Sequence, residues 1–327
     1  MALLNPATLL PSSSRDAQEM FDERFNAAQL LTVPQTWVSD LGDDQQTPAL
    51  ETKYPMSVLA LKFTETKGAS KYKTIGEKDC TLTVAEYDEG VEIDIIKVCS
   101  NTFSAKRWAD APAGLVQAEQ IFKLKLIAAA LEANTETCGW DDLALFHDAH
   151  LCNPKDGSSS TFDNLQAAAK DVVSLANIEA EITLMADVLD VNGDRLGVMP
   201  THIGVPPAKF QGLKNLLKQD FVPNSAGTAT MRNPYNDAGL TVVRMDQLTD
   251  ANDWYLFDAN LIAKSVPPWI VAKLALPGPG FNDLGIRHSD PSNSDDCRAK
   301  GTIAVSYHVY YGFKFLHPHA IRKIAGA

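Results

Sequence analysis

The tract 111–135, APAGLVQAEQIFKLKLIAAALEANT, most constrains how this chain can fold. Asp110-Ala111-Pro112 opens it with a proline suited to a first helical turn, and alanine, leucine, lysine and glutamate dominate afterwards. Some twenty residues at 1.5 Å each make a rod of roughly 30 Å, enough to form the spine of a lobe. Periodicity sets Leu115, Ile121, Phe122, Leu126 and Ala129 against a sheet, with Glu119, Lys123 and Lys125 in water.

Ahead of the rod, residues 14–31 place Met20, Phe21, Phe25, Ala28 and Leu31 on one stripe, with Ser13 and Ser14 available as N-caps. A proline-punctuated extended tract follows to about Pro55, so this amphipathic helix reads either as an arm docking on something else or as a first core helix. From Val58 to about Val98 the pattern turns to period two, in VLALKF, YKTIG, TLTVAEY and VEIDIIKV. Turn chemistry falls at Lys67-Gly68 and at Asp88-Glu89-Gly90, and antiparallel strands are predicted. The stretch TETKGASKYKTIGEKD is rich in lysine and poor in apolar mass. A hairpin built there buries no face by itself and must project into solvent or onto a neighbouring chain.

Beyond the rod, GWDDLALFHDAHLCNP leads to a polar loop, KDGSSST, then to helical text from Asp163 to Leu189 with a break at Asn177. THIGVPP reads as a strand and AKFQGLKNLLKQ as a helix starting after two prolines; TVVRMDQL and DWYLFDANLI read as further strands. That alternation predicts an α/β lobe. Residues 277–297 read as a long acidic loop, and GTIAVSYHVYYGFKFLHPHAI as a long strand returning to the main sheet. No internal repeat is present.

A length of 327 residues exceeds the ~250–300 at which single cores stop growing, so two or more lobes are expected. Twenty-nine basic against forty-one acidic residues, a net charge of −12, argue against a nucleic-acid reader held by phosphate contacts. Five cysteines without a CxxC pair indicate neither a disulfide framework nor a zinc knuckle. The apolar N-terminus carries no basic side chain before its leucines and is broken by Pro6 and Pro11, unlike a secretory signal. No apolar run approaches the ~18 residues of a membrane span, and a soluble compartment with no membrane partner is expected.

Candidate chemistry is sparse. His147 and His150, with Asp141, Asp142 and Asp148 nearby, form an HxxH without the glutamate of HExxH. They define the enzymatic alternative, a metal-dependent hydrolase, against a polar turn whose histidines bond to backbone. DVNGDRLG echoes a calcium loop through Asp190, Asn192 and Asp194, but Arg195 stands where glycine is required and Thr201 where a glutamate belongs. His308, His317 and His319 have no nucleophile or carboxylate at a recognisable spacing. GxSxG, GxxxxGK[ST] and GxGxxG are all missing. No catalytic, cofactor-binding or metal residue is therefore assigned.

The order of elements, an N-terminal arm, a lysine-rich hairpin, a spine helix, an α/β lobe and a final strand, resembles that of the major capsid proteins of tailed bacteriophages, with their Hong Kong 97-type fold. Trp140 to His150 and Asp194 to His202 with Val205-Pro206-Pro207 are similar to segments of the Mu-like major head subunits, as is Asp253 to Asp258. Asp142 stands where that group often has glycine, and Leu151 where it has proline. The resemblance implies an α+β fold with an arm (1–46), an extended hairpin loop (47–80), a peripheral domain with the spine helix (81–138 and 300–327) and an axial domain (139–299). It implies pentamers and hexamers in an icosahedral shell around double-stranded DNA, assembled in the host cytoplasm, with no catalysis and no cofactor. Separate scaffold, portal and decoration proteins are its expected partners. Subunit contacts are then expected at Phe21, Phe25, Lys67, Gly68 and Lys71, and removal of residues 1–31 is expected to leave a folded subunit that fails to close shells. A nanocompartment shell of the encapsulin type, carrying a cargo enzyme instead of DNA, is the second implied reading.

Overall fold

The computed structural model describes residues 13–31, 37–47, 49–58, 76–155, 160–223, 230–236, 239–263, 266–274 and 285–327. Helix α1 (Ser14–Leu31) starts at Ser13, whose Oγ accepts from the Asp16 N–H at 3.2 Å. Its apolar stripe folds inward. Ala17, Phe21 and Phe25 have no accessible surface. Phe21 packs on Trp108 with ring centroids 5.1 Å apart and Phe25 on Tyr307 at 4.8 Å, while Trp108 Nε1 donates to the Ala17 carbonyl at 2.9 Å. Burying each phenyl stabilises this arrangement by about 1.5–3 kcal/mol. The core-helix reading is the one observed. Phe21 and Phe25, expected as subunit contacts of a docking arm, are here enclosed by their own chain.

Helix α2 (Trp37–Asp40) precedes β1 (Asp43–Thr47), β2 (Glu51–Val58) and β3 (Gly76–Asp94). Val58 faces Gly76 and Glu51 faces Thr83, so β2 and β3 pair antiparallel; the expected strand VLALKF beyond Val58, the expected strand YKTIG before Gly76 and the turn at Lys67-Gly68 lie outside the described residues. Asp88-Glu89-Gly90, expected to turn, runs straight on within β3. The reason is β14 (Thr302–Phe315), which pairs with β3 without interruption from Asp94 opposite Thr302 to Val84 opposite Gly312. A ladder that long outweighs the local turn preference. IIKV, expected as strand, is helix α3 (Ile95–Ser100), because the Asp94 carboxylate accepts from the N–H groups of Ile96 and Lys97 at 2.8 and 3.3 Å.

The spine is α4 (Thr102–Ala133), 32 residues and about 48 Å long. It begins before Pro112 because Asn101 caps it, accepting from Phe103 N at 2.9 Å, and the proline lies inside the helix with its ring buried. Trp108, Leu115, Val116, Leu124, Ile127 and Leu131 form its buried ridge. Two assignments of face are corrected: Ala129 is exposed and Glu119 is buried.

After α4 come β4 (His150–Leu151), β5 (Thr161–Phe162), β6 (Leu165–Gln166) and α5 (Leu175–Ala186). The helix expected over 163–189 is thus cut to twelve residues, since Leu165 and Gln166 pair with a strand and the Lys170 carbonyl accepts from Trp254 Nε1. Then follow β7 (His202–Val205), α6 (Pro207–Lys218), β8 (Phe221–Pro223), β9 (Thr230–Arg232), β10 (Thr241–Arg244) and β11 (Trp254–Phe257). The expected strand 253–262 ends at Phe257, because Asp258 caps α7 (Ala259–Ile262). Strand β12 (Trp269–Leu274) was not foreseen, and the supposed loop 277–297 contains β13 (Ile286–Ser289) and the start of α8 (Asp295–Lys300). Strand β15 (Ile321–Ile324) closes the series.

One sheet runs β1-β12-β14-β3-β2, with β13 also on β14, and α4 packs on it; the other runs β10-β7-β11-β15-β6. The second has its own core, where Ile203, Val205, Trp254 and Leu256 meet Ile178 and Met185 of α5 and Leu213 of α6. Sheet membership cuts across the expected boundaries. Strands β12 and β13, within 139–299, belong to the first sheet, and β15, within 300–327, belongs to the second. The chain therefore crosses between sheets at 134–164, which holds the small β4-β5 pair, at 258–268 and at 316–320.

Candidate assembly site

The β2-β3 pair is held by the stretch just after the spine. Met56 of β2 and Cys80 and Leu82 of β3 pack on Ile270, Ala272 and Leu316. Gly139 approaches this cluster so closely that a Cβ there would stand 2.8 Å from Cys80 Sγ and 2.9 Å from Met56 Cε. Lys78 Nζ donates to the Trp140 carbonyl at 2.9 Å and to Asp142 Oδ2 at 2.8 Å. Asp142 has φ +63°, a left-handed conformation that aspartate tolerates better than most residues.

Asp141 is the node of the turn. Its Oδ1 accepts from Cys138 Sγ and Leu143 N, both at 3.3 Å, and its Oδ2 accepts from Leu151 N at 3.1 Å and meets His150 Nδ1 at 2.8 Å. Burial alone would raise its pKa, but the His150 hydrogen bond and charge, with the N–H donors, hold it below the ordinary carboxylate value. His150 Nε2 lies 2.9 Å from the Leu145 carbonyl. Trp140 Nε1 donates to Leu151 O at 2.8 Å, and its ring lies 5.5 Å from His317 and 4.8 Å from His319. Burial pushes those two histidines down to about 4 and about 3, with the neighbouring His317 and His150 adding to the shift at His319.

The stretch can be tested as a metal centre. Ligand atoms of Cys138, Asp141 and His150 lie within 4.8 Å of one another, the one such group of three among the described residues. Each is already hydrogen-bonded to another member or to backbone, and burial keeps the Cys138 thiol protonated. A cation would have to displace those bonds. His147 does not join: its Nδ1 accepts from Ala149 N at 3.0 Å, and its ring stands 5.9 Å from that of His150. The HxxH histidines thus bond to backbone in a polar turn, the plainer of the two readings above. The calcium-like loop is likewise a closed turn, with Asp190 Oδ1 accepting from Asn192 N at 2.8 Å and Asp194 N at 2.9 Å.

Of the expected contact residues, Phe21 and Phe25 are in the core and Lys67, Gly68 and Lys71 lie outside the described residues. Sequence periodicity missed Glu119. It accepts from Lys273 Nζ at 2.6 Å, Tyr307 Oη at 2.6 Å and Tyr311 Oη at 2.7 Å, binding the spine to the first sheet. Burial works against its ionised form, but the Lys273 charge and the hydrogen bonds from Lys273, Tyr307 and Tyr311 outweigh that and lower its pKa overall. The signal available was the pair Tyr307 and Tyr311 on one face of β14, whose hydroxyls need a buried partner.

Two sheets tied across a seam, a long spine helix and an antiparallel β2-β3 pair are the parts of the Hong Kong 97-type fold. The chain belongs to the phage capsid protein family, whose model matches residues 107–324. The procapsid subunit of bacteriophage JBD30 is similar in fold, with a TM-score of 0.54 over 99% of this chain and 77% of that one at 12% identity. The capsid of cyanophage P-SCSP1u gives 0.51 over 88% and 87% at 12% identity, and the capsid of an empty GTA particle 0.50 over 91% and 92% at 13%. No curated protein sequence matches this chain.

Proposed function

We propose that this chain is the major head subunit of a tailed phage or prophage, assembling into pentamers and hexamers of an icosahedral shell around double-stranded DNA. Membership of the capsid family across 107–324 carries the reading. The likeness to Mu-like head subunits rests on the local residues around Trp140 and Asp194 alone. The protein works by shape and association and performs no catalysis. Its surroundings are the virion, reached by assembly in host cytoplasm with separate scaffold, portal and decoration proteins. In domain terms, the β3-β14 sheet with α4 is the peripheral part and the β7-β11-β15 sheet the axial part. A net charge of −12 suits a container whose wall should not adhere to packaged phosphates.

The test is electron microscopy with size-exclusion chromatography of the protein expressed alone and with its neighbouring genes. Closed shells, rings or tubes are expected, with DNA inside particles formed in the complete genetic context. A cargo enzyme in place of DNA would favour a nanocompartment, and a monomer or dimer under every condition would overturn the shell reading.

A further inference from the structure

The second and third crossings meet β1 and β2 around a cavity of about 500 Å³. Helix α2 and the start of β1 supply Asp40 and Asp43 to its wall. Helix α7 supplies Ile262, and the segment after β14 supplies Leu316 and His317. The first sheet and both crossings thus share one space, of the size, about 300–1,000 Å³, and the inter-lobe position in which small ligands are held.

The lining has a defined chemistry. It contains two carboxylates and no lysine or arginine. Asp43 is half-buried, and Gln45 Nε2 donates to its Oδ2. Burial raises the Asp43 pKa, the Gln45 bond opposing that and the Asp44 charge adding to it, so the ionised carboxylate gains from a counter-ion. An independent feature points the same way. His317 is more than nine-tenths buried, and its Nδ1 has no hydrogen-bond partner. Buried polar atoms are rarely left unpaired. Burial holds this histidine down to about 4, so at neutral pH one ring nitrogen is an acceptor. Ile262 and Leu316 add hydrocarbon to the same wall.

We propose that this cavity binds a protonated alkyl amine, its ammonium held by Asp40 and Asp43, its methylenes along Ile262 and Leu316, and a further N–H donated to His317 Nδ1. A metal ion fits less well. It needs several ligand atoms together, and the one group of three among the described residues, Cys138, Asp141 and His150, does not line the cavity. Nor would a bare ion use the hydrocarbon. Two sources offer the required chemistry, a free di- or polyamine and the side chain of a lysine in a polypeptide. The cavity lies within one chain, so the assignment goes beyond the capsid reading and does not depend on it.

The experiment is calorimetric titration of the full chain with cadaverine, Nα-acetyl-lysine amide and 1-pentanol, which share a five-carbon chain. One amine is expected to bind per chain, at least tenfold tighter than the alcohol, and to raise the thermal midpoint. Asp40→Asn/Asp43→Asn is expected to weaken amine binding at least tenfold, with the unliganded midpoint close to wild type. His317→Phe removes the acceptor without opening a void and is expected to weaken it severalfold. Tighter binding of cadaverine assigns the site to a free polyamine, and tighter binding of the lysine amide to a polypeptide lysine. No saturable binding of either amine, pentanol binding as tightly as the amines, or an unchanged affinity in the Asp40/Asp43 variant would overturn the assignment and leave the capsid reading standing.

Discussion

Lys78 Nζ lies 2.8 Å from Asp142 Oδ2, so strand β3 is tied to a residue at φ +63° in the turn after the spine. The aspartate is largely exposed, and its ion pair contributes no more than about 1 kcal/mol. The backbone matters more. Asp142→Gly is expected to be near neutral in urea unfolding of the unassembled subunit, and Asp142→Val to destabilise it by about 1–2 kcal/mol, because a β-branched residue strains in the left-handed region. Equal stability of the two variants would contradict this account.

Glu119 makes a second expectation possible. Glu119→Leu leaves Lys273, Tyr307 and Tyr311 without their common acceptor and should cost about 3–5 kcal/mol. Glu119→Gln keeps an acceptor but not the charge, and should cost less. Chemical denaturation of both variants checks the order.

His317 and His319 are held neutral at about 4 and about 3, below an ordinary histidine value of 6.5. Unfolded chain therefore takes up protons first as pH falls. Their neutral packing is fully stabilising above about pH 6.5 and weakens by up to about 1.4 kcal/mol per pH unit per histidine down to their folded values. Thermal midpoints should fall between pH 7 and 5, and His319→Phe, lodged between Trp140 and Phe162, should flatten that fall. A wild-type midpoint constant over this window would refute the assignment.

Removal of α1 is expected to act on folding before assembly. Deleting residues 1–31 uncovers Trp108 and Tyr307, and Phe21→Ala alone should cost about 3–5 kcal/mol. Loss of cooperative unfolding in the truncated chain is the expected result. A truncation as stable as the full chain would restore the arm reading.

Residues that follow one local rule were legible. The TLTVAEY part of β3, β7, α6 and β14 showed in their periodicity, and the segments around Trp140 and Asp194 pointed to the family. What escaped was decided by distant pairing. Asp88-Glu89-Gly90 carries turn residues, yet β14 lies opposite; Glu119 looks like a water-facing helix position until two tyrosines more than 180 residues away supply its donors. Pro112 suggested a helix start that Asn101 had already made. The Asp141 node combined a visible cluster of acidic and imidazole groups with bonds to Leu145 and Leu151 that only the folded turn defines.

The third crossing, at 316–320, bears on how the molecule comes into being. Strand β14 lies between β12 and β3, and β15 between β11 and β6, so each sheet is completed by the last forty residues described. Trp140 N donates to Leu316 O at 3.0 Å and Asp258 N to Ala320 O at 3.0 Å, which fastens both earlier crossings to that same late segment. The first sheet cannot complete its pairing until β14 has left the ribosome, nor the second until β15 has. The nascent chain must wait with two incomplete sheets and their open edges, the condition in which newly made protein most needs a chaperone.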